Sequence, residues 1–393
     1  MYQLQANHNA VVKRPHFAAY WKFDAGAKIN SGLALVGDVL IFDTFGKQVI
    51  ALDARNGSVL WRTNTDNIMM SSPAVSNGVI FVGSGDSGHP GSARQSFAYA
   101  TDAQGNAENF WGRPEGDHVI ALDAATGQKR WQYRTLGEDM PSMGVADGVV
   151  VFANGDGHAY GLRASSGDAL WRTDLPGIAT MASATMFSKT ALVSVCDFAH
   201  KSAGATVALD VTTGSVIWRS PYGNCDSSPT YGRSRVFVSG VLGNRQPFGY
   251  GGRAVIAALD ARTGKLLWKY SSSQSGPYTS VGTSERAIAG TFADGTYFQA
   301  VPTESALIAF DPVNGSIRWR FQAISPVKMS PVVYNGKVFF GDVAGALYEV
   351  DEKRGSLLRT RLYPSPFSCA PPIIVDRTLF LVDGSTVNAI RVD

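Results

Sequence analysis

Residues 51–61, Ala51-Leu52-Asp53-Ala54-Arg55-Asn56-Gly57-Ser58-Val59-Leu60-Trp61, decide the fold. The approach to them, Val49-Ile50-Ala51-Leu52-Asp53, is apolar and β-branched and reads as a strand. Asp53 and Asn56 then make a turn in which the carboxylate accepts backbone N–H groups. Gly57 supplies the positive φ that a bulged hairpin requires. Trp61 stands on the strand that follows, where its indole can pack against a neighbouring unit and donate its N–H.

Outward from this stretch the pattern recurs. The copies are ALDAATGQKRW ending at Trp131, GLRASSGDALW at Trp171, ALDVTTGSVIW at Trp218, ALDARTGKLLW at Trp268 and AFDPVNGSIRW at Trp319. A seventh copy, EVDEKRGSLLR, has Arg359 in the Trp position. The shortest spacing, Trp131 to Trp171, is 171 − 131 = 40 residues, the length of one four-stranded propeller blade. An eighth copy is split. Residues 387–393 (VNAIRVD) reach the Leu-Asp position, and residues 19–23 (AYWKF) supply the Trp strand, with Trp21 to Trp61 again 61 − 21 = 40 residues. The expectation is an all-β, eight-bladed β-propeller of four-stranded antiparallel blades, a single domain over 1–393. Residues 1–18 form an N-terminal extension, and the N-terminal strand 19–24 closes the last blade. Closure removes the free sheet edges on which such arrays would aggregate.

Composition agrees. Charged residues are 17% and glycines number 42 of 393, a profile of turn-rich β structure rather than coiled coil or disorder. A net charge of +3 without a basic run argues against nucleic acid as a partner. No run of 18 apolar residues crosses a membrane. The first residues, MYQLQANHN, have no apolar core of a signal peptide. Three cysteines build neither a disulfide scaffold nor a thiolate zinc cage.

Departures from the bare repeat point to function. Blades 1, 3, 7 and 8 join their second and third strands through short turns. Blades 2, 4, 5 and 6 carry extra length there, at 85–117, 197–205, 242–252 and 293–305. In an up-and-down blade these loops share one face with the starts of the inner strands, which line the central channel. Of eight tryptophans, Trp111 alone lies off the repeat, in the longest insertion. Tyr99, Phe110, Phe198, Phe248, Tyr250, Tyr297 and Phe298 fall in the insertions as well. Such aromatic loops read as the wall of a ligand or partner site, or as a cap that seals the channel. Trp111, Arg113 and Arg245 are the ligand-binding candidates from the insertions. Lys28, Asn30, Tyr278 and Lys328 are those at inner-strand starts, where Asp66, Met70 and Cys369 also stand. Asp226, Asp139 and Glu138 are the acid–base candidates, because paired carboxylates in a narrow concave site shift their pKa values; the alternative is that all these groups are hydrated or paired at the channel mouth.

Cys196 ends one strand and Cys225 starts another on the same face. A disulfide requires Cα atoms within ~7 Å; the reading leans to two partly buried free thiols. His89 and His200 lie in insertions, and no histidine pair has metal spacing, so no metal site is expected. Residues 154–157 (NGDG) form a turn without the spaced carboxylates of a calcium loop. Arg62, Arg172, Arg219, Lys269 and Arg320 follow the repeat tryptophans and read as solubilising charges on the outer edge.

The A-x-D-x-x-T-G-x-x-x-W motif resembles that of the pyrroloquinoline quinone (PQQ)-like repeat propellers, over about residues 19–393. Members include quinoprotein dehydrogenases, the outer-membrane assembly lipoprotein propeller and tetrathionate hydrolase. The resemblance implies fold more than function. Its first implication is a propeller that binds a small molecule or a protein on the decorated face. A second is a PQQ-dependent dehydrogenase using Ca²⁺, which residues 114–139 resemble; the vicinal Cys-Cys that such sites use is absent here. A third is a cofactor-free hydrolase with a carboxylate near the axis. The resemblance implies a periplasmic or secreted mature form, with a cytoplasmic one left open. Whether the protein is an enzyme, and its oligomeric state, stay open.

Overall fold

The computed structural model describes residues 20–69, 71–84, 118–135, 139–179, 181–196, 204–242, 253–275, 288–367 and 370–392. They form eight four-stranded antiparallel sheets arranged as the blades of a propeller. The innermost strands are short: Ala34–Val36, Ala74–Ser76, Gly144–Ala146, Thr185–Phe187, Thr230–Gly232, Thr291–Ala293, Val332–Tyr334 and Ile373–Val375. Blade 8 takes its outermost strand from the N-terminus. Trp21–Asp24 pairs with Thr386–Arg391, placing Trp21 opposite Ala389 and Asp24 opposite Thr386. The split repeat closes the ring.

The middle strands are apolar on both faces because each blade is packed between two others. In Val39–Thr44, Leu40 and Phe42 face the core shared with blade 8, whereas Ile41 faces the core shared with blade 2. Period-two alternation therefore separates the two neighbours rather than core from solvent. Outer strands such as Val59–Asn64 are exposed at alternate positions.

The repeat motif locks each blade to the next. Trp21, Trp61, Trp131, Trp171, Trp218, Trp268 and Trp319 each donate the indole N–H to a backbone carbonyl of the following blade, at 2.8–3.1 Å. The acceptor is always the residue just after the turn Asp, or its equivalent, as with Ala54, Ala124 and Val211. The indole lies on the motif glycine. A Cβ on Gly57 would stand 2.6 Å from Trp21, and one on Gly127 2.5 Å from Trp61, while both residues hold φ above +70°. Glycine is therefore required twice, for the turn and for the ring above it. The turn carboxylates act as read from sequence. Asp123 accepts from the backbone N–H groups of Ala125 and Thr126, each at 3.0 Å, and Asp210 from those of Thr212 and Thr213 at 2.9 and 2.8 Å.

Blade 6 corrects the expected insertions. Residues 293–305 are not a loop: they contain strand Thr296–Val301 and a short 3₁₀ turn at Pro302–Glu304. Tyr297 and Phe298, expected on a decorated face, are buried core residues. The hairpin turn is Asp294-Gly295, with φ of 45° and 75°. Ala293-Asp294-Gly295 repeats the tripeptide Ala146-Asp147-Gly148, which turns blade 3 in the same way. The inner strand of blade 6 therefore starts at Thr291, and Tyr278 lies upstream of it in a segment, 276–287, outside the described residues. The extra length of blade 6 precedes its inner strand. Residues 85–117, most of 197–205 and most of 242–252 also lie outside the described residues.

Candidate functional site at the channel mouth

Inner strands begin, and outer strands hand over to the next blade, at the same end of the ring. Two belts of side chains tie the inner strands together there. The N–H of Gly32 donates to Ser72 Oγ at 2.7 Å, that of Ser142 to Ser183 Oγ at 3.1 Å and that of Ser183 to Ser228 Oγ at 2.9 Å. Beneath them, Thr185 Oγ1 donates to Pro229 O, Thr230 Oγ1 to Gly290 O and Thr291 Oγ1 to Pro331 O, at 2.5–2.8 Å. These hydroxyls satisfy backbone groups that a short inner strand leaves unpaired.

Above the belts the chemistry changes around the ring. One position stands four residues ahead of each inner strand: Asn30 before Ala34, Met140 before Gly144, Met181 before Thr185, Asp226 before Thr230 and Lys328 before Val332. The fold thus brings three of the expected site residues, Asn30, Asp226 and Lys328, to one ring position. Asn30 and Asp226 are half-buried, and Lys328 is only 3% exposed. The Asp226 N–H donates to Asn224 Oδ1 at 2.8 Å. Met70, Ala287 and Cys369 hold the same position in the sequence and lie outside the described residues.

The other candidates are placed elsewhere. Lys28 is exposed, with Nζ 5.4 Å from the centre of the Phe45 ring. Asp139 is fully buried; it accepts from Thr135 Oγ1 and from Asn154 Nδ2, and its N–H donates to Ser84 O at 2.9 Å. Glu138, Trp111, Arg113 and Arg245 lie outside the described residues, as do His89 and His200. Asp66 is not at the axis. It faces His118, Oδ2 to Nε2 3.7 Å, in a groove between the outer strands of blades 1 and 2 that Lys129 and Gln132 also line. Of the outer-edge cations, Arg320 is more than solubilising: it pairs with the buried Glu304 and donates to Tyr270 Oη at 2.8 Å.

Cys196 and Cys225 form a disulfide, Cα atoms 4.9 Å apart, which corrects the free-thiol reading. The bridge staples the second strand of blade 4 to the approach of blade 5's inner strand, one residue before Asp226. Spacing alone concealed it because the two cysteines stand 29 positions apart and the ring brings them together.

The sequence reading also passed over Asp43. It lies in the apolar strand VLIFDT and is fully buried. Strand register equates it with Gly83, Ala153, Ser194, Ser239, Ala300, Gly341 and Val382. Burial pushes its carboxyl up to about 8. The geometry leaves both Asp43 oxygens and Ser31 Oγ without a hydrogen bond. A proton on Asp43 is the state such a site favours. Comparing the eight copies position by position would have exposed this carboxylate.

The family model described as outer membrane protein assembly factor BamB matches residues 12–94, 112–244 and 252–390. The chain belongs to this family of PQQ-like repeat propellers. Tetrathionate hydrolase of Acidithiobacillus ferrooxidans is 22% identical over 365 residues, 90% of this chain and 70% of that protein. BamB of Yersinia pestis is 26% identical over 281 residues, 69% of this chain and 66% of that protein. The crystal structure of BamB from Moraxella catarrhalis superposes with a TM-score of 0.67 at 16% identity, over 96% of this chain and 99% of that one. At that identity the likeness speaks to the fold.

Family resemblance also implies PQQ with Ca²⁺, and the described residues do not fit that pair. Their disulfide spans two blades instead of forming a vicinal ring. Among them no three His, Cys, Asp or Glu side chains gather around a cation position.

Proposed function

We propose that this BamB-family propeller is a periplasmic binding scaffold, and that it holds a protein segment over the mouth of its channel. One observation carries the reading. In the belts around the inner strands, the hydroxyls of Ser72, Ser183, Ser228, Thr185, Thr230 and Thr291 are committed to bonds between blades. The ring position above them varies among the described blades, with the Asn30 amide, the Met181 thioether and the Asp226 carboxylate partly exposed and Met140 and Lys328 buried behind them. Mixed charge with adaptable methionines suits recognition of a polypeptide better than one fixed reaction. The face is also where the extra segments leave the blades, and loops on a rigid scaffold carry binding. A disulfide between blades suits an oxidising compartment. No helix among the described residues is long and apolar enough to cross a membrane.

The test is site-specific photocrosslinking in cells. A photoreactive residue at Asn30 should give one discrete adduct, reduced in an Asp226→Lys, Lys328→Glu background. The same residue at Arg262, in a turn at the other end of the ring, should give none. Equal adducts at both ends, or none at the mouth, would refute the reading.

A second reading has one specific support. Asp226 is a partly accessible carboxylate at the mouth, and one relative, matched over 90% of this chain, is a tetrathionate hydrolase. Consumption of tetrathionate by the purified protein, lost in Asp226→Asn, would favour this reading over the scaffold.

A further inference from the structure

Seven of the eight blade junctions close on an indole of the chain itself. The eighth, between blades 7 and 8, shares two of those walls, the phenylalanine and the acceptor position, but carries Arg359 in the indole position. Phe339 stands at the register position from which Phe81 meets Trp131 and Phe298 meets Trp319, both at 5.7 Å between ring centroids. The N–H of Val392 donates to Arg377 O at 2.7 Å, as that of Ala124 donates to Gly78 O at 2.9 Å. Val392 therefore occupies the place of the residues whose carbonyls accept the indole N–H elsewhere. A groove runs between Phe339 and Val392, floored by Leu379 and Ile390.

Its rim is basic. Arg359, Arg361 and Arg391 line the groove with a single carboxylate, Glu349. That carboxylate is already engaged by Lys337 at 2.8 Å and by Arg359 at 3.7 Å. The neighbouring surface is apolar. Leu357–Leu362 is exposed at all six positions, unlike the other outer strands whose burial is described. Leu357, Leu358 and Leu362 are 53%, 50% and 73% exposed.

We propose that this groove is a docking socket for an aromatic side chain, indole above all, borne on a partner segment rich in carboxylates. The fold specifies the occupant seven times over, a flat ring with an N–H donor, and at four of those junctions, those of Trp21, Trp131, Trp268 and Trp319, a phenylalanine lies tilted beside it at 5.7–6.0 Å. The three guanidinium groups select acidic flanks, and Arg beside an indole face adds cation–π attraction. The exposed leucines extend the contact, as apolar patches at interfaces do. The socket lies on the outer wall, away from the channel mouth, and stands or falls independently of the mouth's function.

The probe is an acetylated pentapeptide, Asp-Glu-Trp-Glu-Asp, titrated calorimetrically into the full chain. Binding is expected at roughly 0.1–1 mM. An Ala-centred peptide and a Lys-flanked peptide should each bind at least about tenfold more weakly, the usual penalty for losing an interface anchor. Arg359→Trp should fill the socket, raise the melting temperature and abolish binding. Arg391→Glu, which leaves the socket open, should weaken the acidic peptide and strengthen the Lys-flanked one. No binding at several millimolar, equal binding of the Ala-centred peptide, or unchanged binding by Arg359→Trp would overturn the proposal. A lower melting temperature for Arg359→Trp would do the same, since the groove would then not accept an indole.

Discussion

A carboxylic acid buried inside a β-sheet gives this protein a pH-dependent contribution to stability. Asp43 titrates near 8 when folded and near 4 in an unfolded chain. Between those values the folded state holds a proton that the unfolded state has released. Its contribution to stability therefore falls as pH rises from about 4 to about 8, by up to ~1.4 kcal/mol per pH unit. Asp43→Asn should flatten the slope and raise the urea midpoint at pH 8; equal slopes in wild type and variant would show that the carboxylate is not buried as described. The turn aspartates work in the opposite sense. The Arg130 hydrogen bond, with Thr126, holds Asp123 at about 2, and Asp210 and Asp260 are lowered by their Thr partners. What they contribute is present above pH 4 and lost as pH falls through the folded values. Both trends place the stability maximum of the wild type on the acid side of neutrality, near pH 4–5, which melting temperatures across pH 2–9 would check.

At the scale of elements, the motif strand, its turn and the indole act as one unit. Trp218→Ala removes a buried ring that lies on Gly264 and bonds Ala261. It should destabilise by about 3–5 kcal/mol, measured by urea unfolding. Trp111→Ala, outside the repeat, should change little. The sequence showed this unit clearly because every part of it is local: an alternating strand, an Asp turn, a glycine and a tryptophan within 11 residues. It failed where two readings were locally equivalent. In blade 6 the run from Ile288 to Val301 offers two apolar stretches, and only the Ala-Asp-Gly turn, shared with residues 146–148, decides which is the inner strand. The mouth was half legible. Asn30, Asp226 and Lys328 were found as strand starts, but their common register needs the strand positions. Lys28, Asp66 and Asp139 read equally as inner-strand starts in the sequence, and the register puts each of them elsewhere. The disulfide depends on the spacing between two blades, which no single segment encodes.

For the whole molecule, the ring is a set of nearest-neighbour contacts that becomes cooperative only when it closes. The Cys196–Cys225 staple supports one junction. With its ends 29 positions apart, Cys196→Ser with Cys225→Ser should lower stability by about 3–4 kcal/mol in the chain-entropy description, a loss that reductant should reproduce in the wild type. Closure itself rests on four residues, Trp21–Asp24, which complete blade 8 and lend Trp21 to blade 1. Both the channel mouth and the outer socket depend on that geometry. The most direct test of the account is thermal unfolding of the chain lacking residues 1–24 beside the full chain. A closed ring predicts that the truncated chain loses its single cooperative transition and melts broadly at lower temperature. An unchanged, sharp melt would contradict closure, and with it the geometry from which every site described above was derived.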